Sequence, residues 1–429
     1  MQPHSRSLLI AAAVATAGAM TAFPVHAQTV RDSVEAALAQ EPSLEAAEHA
    51  EEAARARVRV VSAGFLPNIS IAGEYGSQEV NLASGTTALD PRATSVTLSQ
   101  LLFSGGRVWS QVRAARAGAE AAGLGVSAAR SALIVETAGA YAALANAQNT
   151  VAARERADLV FSERLAEVEA RRREGIDTLT DLELARAQRL RAQAELELAR
   201  AGLAAARARY QRLTGLEPPA VVGAPVFLGD LPDSEEDAAE MAVAANFGVR
   251  AAGAGADAAD AGVWAARSAF SPQVELRLES SRSEDAYFFF PDQEIETTAA
   301  TVRVRIPLFE GGRRVAEEQA ARAERARARA QERAARSAVA EFARSAFAEI
   351  EGRRLALQAA EAALTASRIV AEGTRRERSE GLRTTADILE AEQALLDAEV
   401  ARSEAATALF VAQLRLADAL AILTPESLN

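Results

Sequence analysis

Most of this chain repeats its polar and apolar positions with the period of an α-helix. Segments 107–173 and 312–379 contain no proline and keep this period throughout, so each predicts a continuous helix about 100 Å long at 1.5 Å per residue. Helices at 181–213 and 386–421 are predicted to return alongside them. In the last of these, Leu389 and Leu396 follow one another at a seven-residue spacing that is typical of a coiled coil. Further helices are predicted at 30–62 and 233–268.

Four shorter segments alternate between apolar and polar residues with a period of two. In one of them, Val274, Leu276 and Leu278 are separated by charged residues. This alternation indicates strands that are apolar on one face and polar on the other. The predicted strands lie at about 67–77, 94–103, 272–282 and 299–308. The polar segments between the members of each pair, roughly 78–92 and 283–297, are predicted to be irregular loops.

The two halves of the chain repeat the same order of elements. LFSGGR at 102–107 returns as LFEGGR at 308–313, and EGIDT at 174–178 returns as EGLRT at 380–384, in both cases 206 residues later. Such a spacing is much longer than a solenoid unit and indicates a duplicated domain. The predicted organisation is a first repeat at 28–215, a connector at 216–232, a second repeat at 233–423 and a C-terminal tail at 424–429.

The first 27 residues have the features of a signal peptide. Arg6 precedes an apolar run that begins at Leu8, and Val25-His26-Ala27 ends in small residues. Cleavage is therefore predicted before Gln28, which indicates an exported protein, although an ordinary N-terminal helix is the alternative. No other apolar run reaches 18 residues, so no transmembrane helix is predicted.

Composition excludes several classes of function. The chain has no cysteine, no lysine and three histidines, so disulfide scaffolds, thiol enzymes and cysteine-ligated metal sites are excluded. A net charge of −12 argues against nucleic-acid binding. Because no serine elbow, histidine cluster or metal-ligand spacing occurs, we expect neither an enzyme nor a bound metal or cofactor.

The lengths of the four strands match those of strands that cross an outer membrane. Four strands cannot close a barrel, and an open sheet edge is prohibitive in lipid. If the strands span a membrane, the chain must therefore oligomerise, and three copies would supply twelve strands. The polar face, with Arg277, Arg303 and Arg305, would then line a water-filled lumen.

An aromatic cluster stands out in a chain with only 5% aromatic residues. It lies between the strands of the second repeat, where it could be a buried loop anchor or part of an aromatic girdle at a membrane surface. Both interpretations stay open. The cluster consists of Tyr287, Phe288, Phe289 and Phe290.

The duplicated order of helix, strand, strand, Phe-x-Gly-Gly-Arg, long helix, glycine turn and helix resembles the TolC family of outer-membrane efflux channels. The resemblance covers nearly all of the chain after the signal peptide. It implies a mostly α-helical homotrimer, in which a twelve-strand β-barrel in the outer membrane continues into a long helical coiled-coil barrel in the periplasm. It also implies that the protein binds outer-membrane lipid, a periplasmic adaptor and an inner-membrane pump, and acts in drug efflux, metal efflux or type I protein secretion.

The resemblance further implies a periplasmic gate beside the second glycine turn. Asp387 and Glu390 are similar to the two acidic residues that narrow the closed tunnel in relatives, and their i, i+3 spacing places both on one helix face. The equivalent of Arg383 links neighbouring helices in relatives, and its predicted partner is Thr180 or Asp181. The alternative is that the two acidic residues are ordinary solvated charges on a helix surface.

The glycine turns themselves match the positions at which adaptors contact relatives. The residues implied are Gly175 with Ile176 in the first repeat and Gly381 with Leu382 in the second. Both glycines are also plausible ends of helices, where a left-handed residue is common. A rival interpretation of the whole chain is a soluble periplasmic coiled-coil adaptor or scaffold, which would not explain two pairs of alternating strands.

Overall fold

A computed structural model describes residues 29–83, 85–284 and 293–429. The predicted signal peptide and the cluster Tyr287–Phe290 lie outside the described residues. Among those described, no helix is both long enough and apolar enough to cross a bilayer. The fold is mostly helical with a small antiparallel sheet, and each half of the chain contributes two of the sheet's four strands.

Each half begins with two helices, where the sequence pattern predicted one. Helices α1 and α2 span Val30–Gln40 and Pro42–Ser62, and α5 and α6 span Glu235–Ala245 and Phe247–Ser268. The predictions of unbroken helices at 30–62 and 233–268 were wrong. Proline keeps the residue before it extended, so α1 ends at Pro42, and the Asn246 side chain accepts hydrogen bonds from the first backbone N–H groups of α6.

The sheet has the order β1-β4-β5-β6 and is antiparallel throughout, so the repeats join where β4 pairs with β5. Its strands are β1 (Asn68–Tyr75), β4 (Arg92–Phe103), β5 (Gln273–Glu284) and β6 (Glu294–Arg305). The irregular loop predicted at 78–92 is instead largely a separate hairpin of β2 (Gln78–Leu82) and β3 (Gly85–Leu89). Gly85 begins β3 with φ +138°, a conformation open to glycine.

One face of the sheet carries large apolar side chains that the protomer leaves exposed. Ile71 is paired with Val96 in register, and Val302 and Val304 continue the same face across β6. The exposed fractions reach 75% at Ile71 and 61% at Val302. A surface of this kind needs lipid or another chain to cover it.

Two 67-residue helices extend away from the sheet. Helix α3 (Arg107–Arg173) and helix α7 (Arg313–Ser379) each follow a pair of glycines in left-handed conformations. Helix α4 (Leu179–Thr214) returns along α3, and α8 (Thr385–Ala419) returns along α7. We call α3–α4 the first hairpin and α7–α8 the second. The two hairpins touch mainly through α3 and α8.

The largest core lies midway along the molecule. Ile134 and Tyr141 of α3 pack there against Val30 of α1 and Phe410 of α8. The Tyr210 hydroxyl group lies 2.8 Å from the Ser33 hydroxyl oxygen, so the polar group inside this core is hydrogen-bonded. The C-terminal tail pairs with the connector at Phe227 and Leu428 and closes the same layer.

Candidate functional site at the hairpin tips

The tip of each hairpin is a tight helix-to-helix turn built around one glycine. Gly175 has φ +79° and Gly381 has φ +76°. The Ile176 N–H donates to the Arg171 carbonyl group, and the Leu382 N–H donates to Glu377 in the same way, which is the hydrogen bond of a Schellman motif. Ile176 and Leu382 point outward with exposed fractions of 57% and 74%. The implied adaptor-contact residues therefore lie at the surface of both tips.

A capping box begins the returning helix after each turn. The Thr178 hydroxyl oxygen accepts a hydrogen bond from the Asp181 N–H, and the Asp181 carboxylate accepts one from the Thr178 N–H at 2.9 Å. Thr384 and Asp387 repeat this arrangement in the second hairpin. The side-chain hydrogen bond from Thr178 lowers the pKa of Asp181, and the backbone hydrogen bond from Thr384 lowers the pKa of Asp387.

The predicted acidic pair of the gate lies at the start of α8. Asp387 is half-buried because its carboxylate caps the helix, whereas Glu390 is exposed one turn further along. In the protomer Asp387 thus has a local structural partner in Thr384. Its role in a ring of carboxylates stays a prediction.

Arg378 joins the two tips. Its guanidinium group donates to Asp177 of the first hairpin at 3.3 Å, and within its own hairpin to the Thr385 hydroxyl oxygen at 2.8 Å and the Arg383 carbonyl oxygen at 2.9 Å. Asp177 retains only 6% side-chain exposure and Arg378 14%. Arg171 of the first hairpin also lies 3.3 Å from the Asp177 carboxylate.

Arg383 has a different partner from the predicted ones within the protomer. Its Nε donates to Glu377 of the same hairpin at 2.7 Å, and this pairing raises the pKa of Arg383. Thr180 is exposed, and the Asp181 carboxylate is occupied by Thr178. Among the described contacts, Arg378 rather than Arg383 therefore carries the link between the tips.

A second charged link lies further from the tips. The Glu392 carboxylate of α8, with 2% exposure, accepts two hydrogen bonds of 2.6 Å from Arg375 of α7. Arg164 of α3 approaches the same carboxylate at 3.6 Å. The sequence analysis missed this group, although Glu392 stands seven residues after the buried Thr385 on the coiled-coil face.

The contacts between α3 and α8 continue as ion pairs away from the tips. Arg154 pairs with Asp397 at 3.0 Å, and Arg156 pairs with Glu399 at 2.8 Å. These pairs are more exposed than the Glu392 group, so each contributes little stability on its own. In the described part of the chain, no three His, Cys, Asp or Glu side chains are grouped so as to hold a metal ion.

Residues 33–216 and 238–421 match the outer membrane efflux protein family. The chain belongs to this family. It is 26% identical to the outer membrane efflux protein BepC of Brucella suis over 376 residues, which cover 87% of this chain and 80% of BepC. It is 28% identical to the protein CyaE of Bordetella pertussis over 298 residues, which cover 68% of this chain and 63% of CyaE. Crystallised CusC has the same fold, with a TM-score of 0.82, 92% coverage of both chains and 21% identity.

The duplicated match coincides with the two structural repeats, so this family member is an outer-membrane exit duct of an efflux or secretion system. It lies in the outer membrane and extends into the periplasm. The hairpin tips are the ends of the protomer farthest from the membrane-facing sheet. The links through Asp177 and Glu392 are therefore at the periplasmic end of the duct.

Proposed function

We propose that the protein works as a homotrimeric duct whose periplasmic entrance is held closed by contacts between the hairpin tips. The open edges of the sheet support the trimer. Strands β1 and β6 each pair on one side only, and lipid does not tolerate unpaired strand edges. Pairing β6 of one protomer with β1 of the next would close three four-stranded sheets into a twelve-strand barrel.

The single observation that carries the proposed gate is the Arg378–Asp177 contact. It joins an arginine of the second hairpin to a nearly buried aspartate in the turn of the first. If the tips separate during opening, this contact must break, while the hydrogen bonds of Arg378 to Thr385 and Arg383 can persist because they lie within one hairpin. The contact therefore favours the closed arrangement alone.

Asp387 and Glu390 add an electrostatic element to this proposal. In a trimer they would form two rings of three carboxylates, one helical turn apart, just inside the entrance. Such rings would attract cations and repel one another as the tunnel narrows. The link from Arg383 to Thr180 or Asp181 remains a prediction for the assembled trimer.

The partners proposed are a periplasmic adaptor at the tips and an inner-membrane pump beyond it. Ile176 and Leu382 support this because each tip presents one exposed aliphatic side chain beside a rigid turn. We expect Leu382→Asp to abolish export in cells without lowering the amount of trimer in the outer membrane. Leu198→Asp is the matched control, because Leu198 is 73% exposed but lies in the middle of α4.

The architecture is tested by extracting the protein from outer membranes and measuring its mass by size exclusion with light scattering. The expected protein mass is close to three times that of one chain, less the signal peptides, with 45.1 kDa for the full chain. Planar-bilayer recordings of the same preparation then report the gate. A monomer recovered from the periplasmic fraction would overturn the duct and favour the soluble coiled-coil scaffold.

A further inference from the structure

Both tryptophans of the chain lie where the helices meet the sheet. Trp109 is the third residue of α3, and Trp264 lies four residues before the end of α6. Their exposed fractions are 60% and 58%. Each ring is covered by an arginine of its own helix, with Arg113 6.0 Å from the Trp109 centroid and Arg267 5.6 Å from the Trp264 centroid.

Other exposed apolar side chains surround the same junction between helices and sheet. They stand immediately before or after the strands, at the ends opposite the predicted aromatic cluster, and two of them reach 92% and 87% exposure. Ordinary soluble surfaces rarely gather so much exposed apolar area in one place. We call this group, together with the two Trp–Arg pairs, the junction belt; its further members are Phe65, Leu66, Leu102, Phe103, Phe270, Leu308 and Phe309.

The Trp109 side of α3 faces the outside of the duct. Seven-residue steps along the helix from Arg113 lead to Ile134 and Tyr141, which lie under the core layer formed by α1, the connector and the tail. That layer would obstruct a tunnel if it lay on the inner side. The opposite side of α3 carries Gln111 and the small Gly118.

Neighbouring protomers do not need this side of the helices either. Helix α3 is flanked by α2 and α6, and α6 is flanked by α3 and α7, all within one protomer. In a single ring of helices, both lateral sides of α3 and α6 are thus already occupied. The exposed Trp109 side is left to whatever surrounds the duct at the height of the strand ends.

We infer that the junction belt binds phospholipid headgroups of the outer-membrane leaflet that faces the helices. Tryptophan prefers the boundary between hydrocarbon and water because its ring is apolar and its N–H group is polar. Arginine donates to phosphate in a bidentate manner while its guanidinium plane stacks on the aromatic ring. Trp109 lies only about 3 Å of helix rise from the start of α3, which is within the headgroup layer of a bilayer.

The belt continues the apolar face of the sheet, which supports lipid as its occupant. Along that face, Val302, Val304 and Ile306 lead directly to Leu308 and Phe309. Positive charge follows the apolar residues at Arg113 and Arg267, as expected where hydrocarbon gives way to phosphate. The inference rests on the outer-membrane location and not on the proposed gate.

Tryptophan fluorescence tests the inference directly because the chain has only two tryptophans. The full protein is reconstituted into phosphatidylethanolamine–phosphatidylglycerol vesicles whose acyl chains carry bromine near the headgroup or near the bilayer centre. In Trp264→Phe and in Trp109→Phe, we expect the remaining tryptophan to be quenched more strongly by the shallow bromine than by the deep one. Aqueous iodide should quench both weakly.

The matched control moves the fluorophore to the other side of the same helix. A Trp109→Phe, Trp264→Phe protein with Gln111→Trp should respond to iodide and not to brominated lipid. If Trp109 or Trp264 instead behaves like this control, that side chain faces water or another protein, and the inference fails for it.

The arginines provide a second measurement. Arg113→Gln and Arg267→Gln should each lower the preference of brominated phosphatidylglycerol over phosphatidylcholine around the tryptophans by about fivefold. Trimer mass and bilayer conductance should be unchanged, so failure of the belt is distinguishable from failure of the duct. An unchanged lipid preference in the double variant would overturn phosphate binding by these residues.

Discussion

Breaking the Arg378–Asp177 contact should open the duct at its periplasmic end. The two groups lie 3.3 Å apart with little access to water, where a pair of unit charges attracts by about 5 kcal/mol at an effective dielectric constant of 20. Desolvation cancels most of this attraction, and a hydrogen bond to a charged group contributes about 1.5–3 kcal/mol net. The second arginine near Asp177 shares the carboxylate, so we place the link at the lower end of that range.

Two variants should therefore differ in size of effect. Arg378→Ala leaves Asp177 paired with Arg171, and we expect the ratio of open to closed protomer tips to rise about tenfold, since about 1.4 kcal/mol corresponds to a factor of ten. Asp177→Asn leaves two arginines facing a neutral amide and should have a larger effect. The measurement is the conductance of the resting channel in planar bilayers, supported by the frequency of openings.

Arg171→Ala is the matched control for this experiment. Arg171 lies at the same 3.3 Å from the same carboxylate, but both residues belong to the first hairpin. Its removal can weaken the turn without releasing the second hairpin, so resting conductance should stay at the level of the unmodified protein. Equal conductance increases in Arg171→Ala and Arg378→Ala would refute the reasoning, as would no increase in Arg378→Ala.

Three further changes test other parts of the tips. Glu392→Gln should destabilise the trimer by about 2 kcal/mol per protomer, because a charged hydrogen-bond acceptor is lost; thermal unfolding in detergent measures this, and the exposed Glu390→Gln should leave the unfolding temperature unchanged. The lowered pKa values of Asp181 and Asp387 mean that their capping contributions are complete above the model value of 3.8 and are lost as the pH falls below it through the folded pKa; hydrogen exchange at the tips should accelerate only in that acidic window, and a uniform rate would contradict the capping role. Gly381→Ala should cost about 1–2 kcal/mol from its left-handed backbone alone, because a Cβ there meets no atom within 4 Å; an unchanged unfolding temperature would show that the turn adopts another conformation.

The fold class, the family and the outer-membrane location were confirmed because each depends on patterns that are local in the sequence. Helical and strand periods identify elements, and the 206-residue repeat orders them. The breaks before Pro42 and at Asn246 were missed because the helical pattern continues across both. The hairpin of β2 and β3 was missed because its strands are only five residues long and polar.

The contacts between hairpins could not be predicted from periodicity. Whether Arg378 or Arg383 reaches the first hairpin depends on the rotation of α7 about its own axis, which no local pattern fixes. Two signals were nevertheless present in the sequence. Thr384 and Asp387 have the spacing of a capping box, and Glu392 is a charged residue at a position where the coiled-coil spacing calls for an apolar one.

The distribution of apolar and charged contacts between the hairpins limits where the duct can open. Phe161 of α3 and Leu389 and Leu396 of α8 belong to one buried cluster, and exposing a buried leucine or phenylalanine costs about 1.5–3 kcal/mol. Separating the hairpins along their whole contact would expose all three in every protomer. Breaking the Arg378–Asp177 link exposes only groups that water solvates well. Opening should therefore bend the second hairpin near Leu389 and move the tip beyond it, while the segment toward the membrane stays packed.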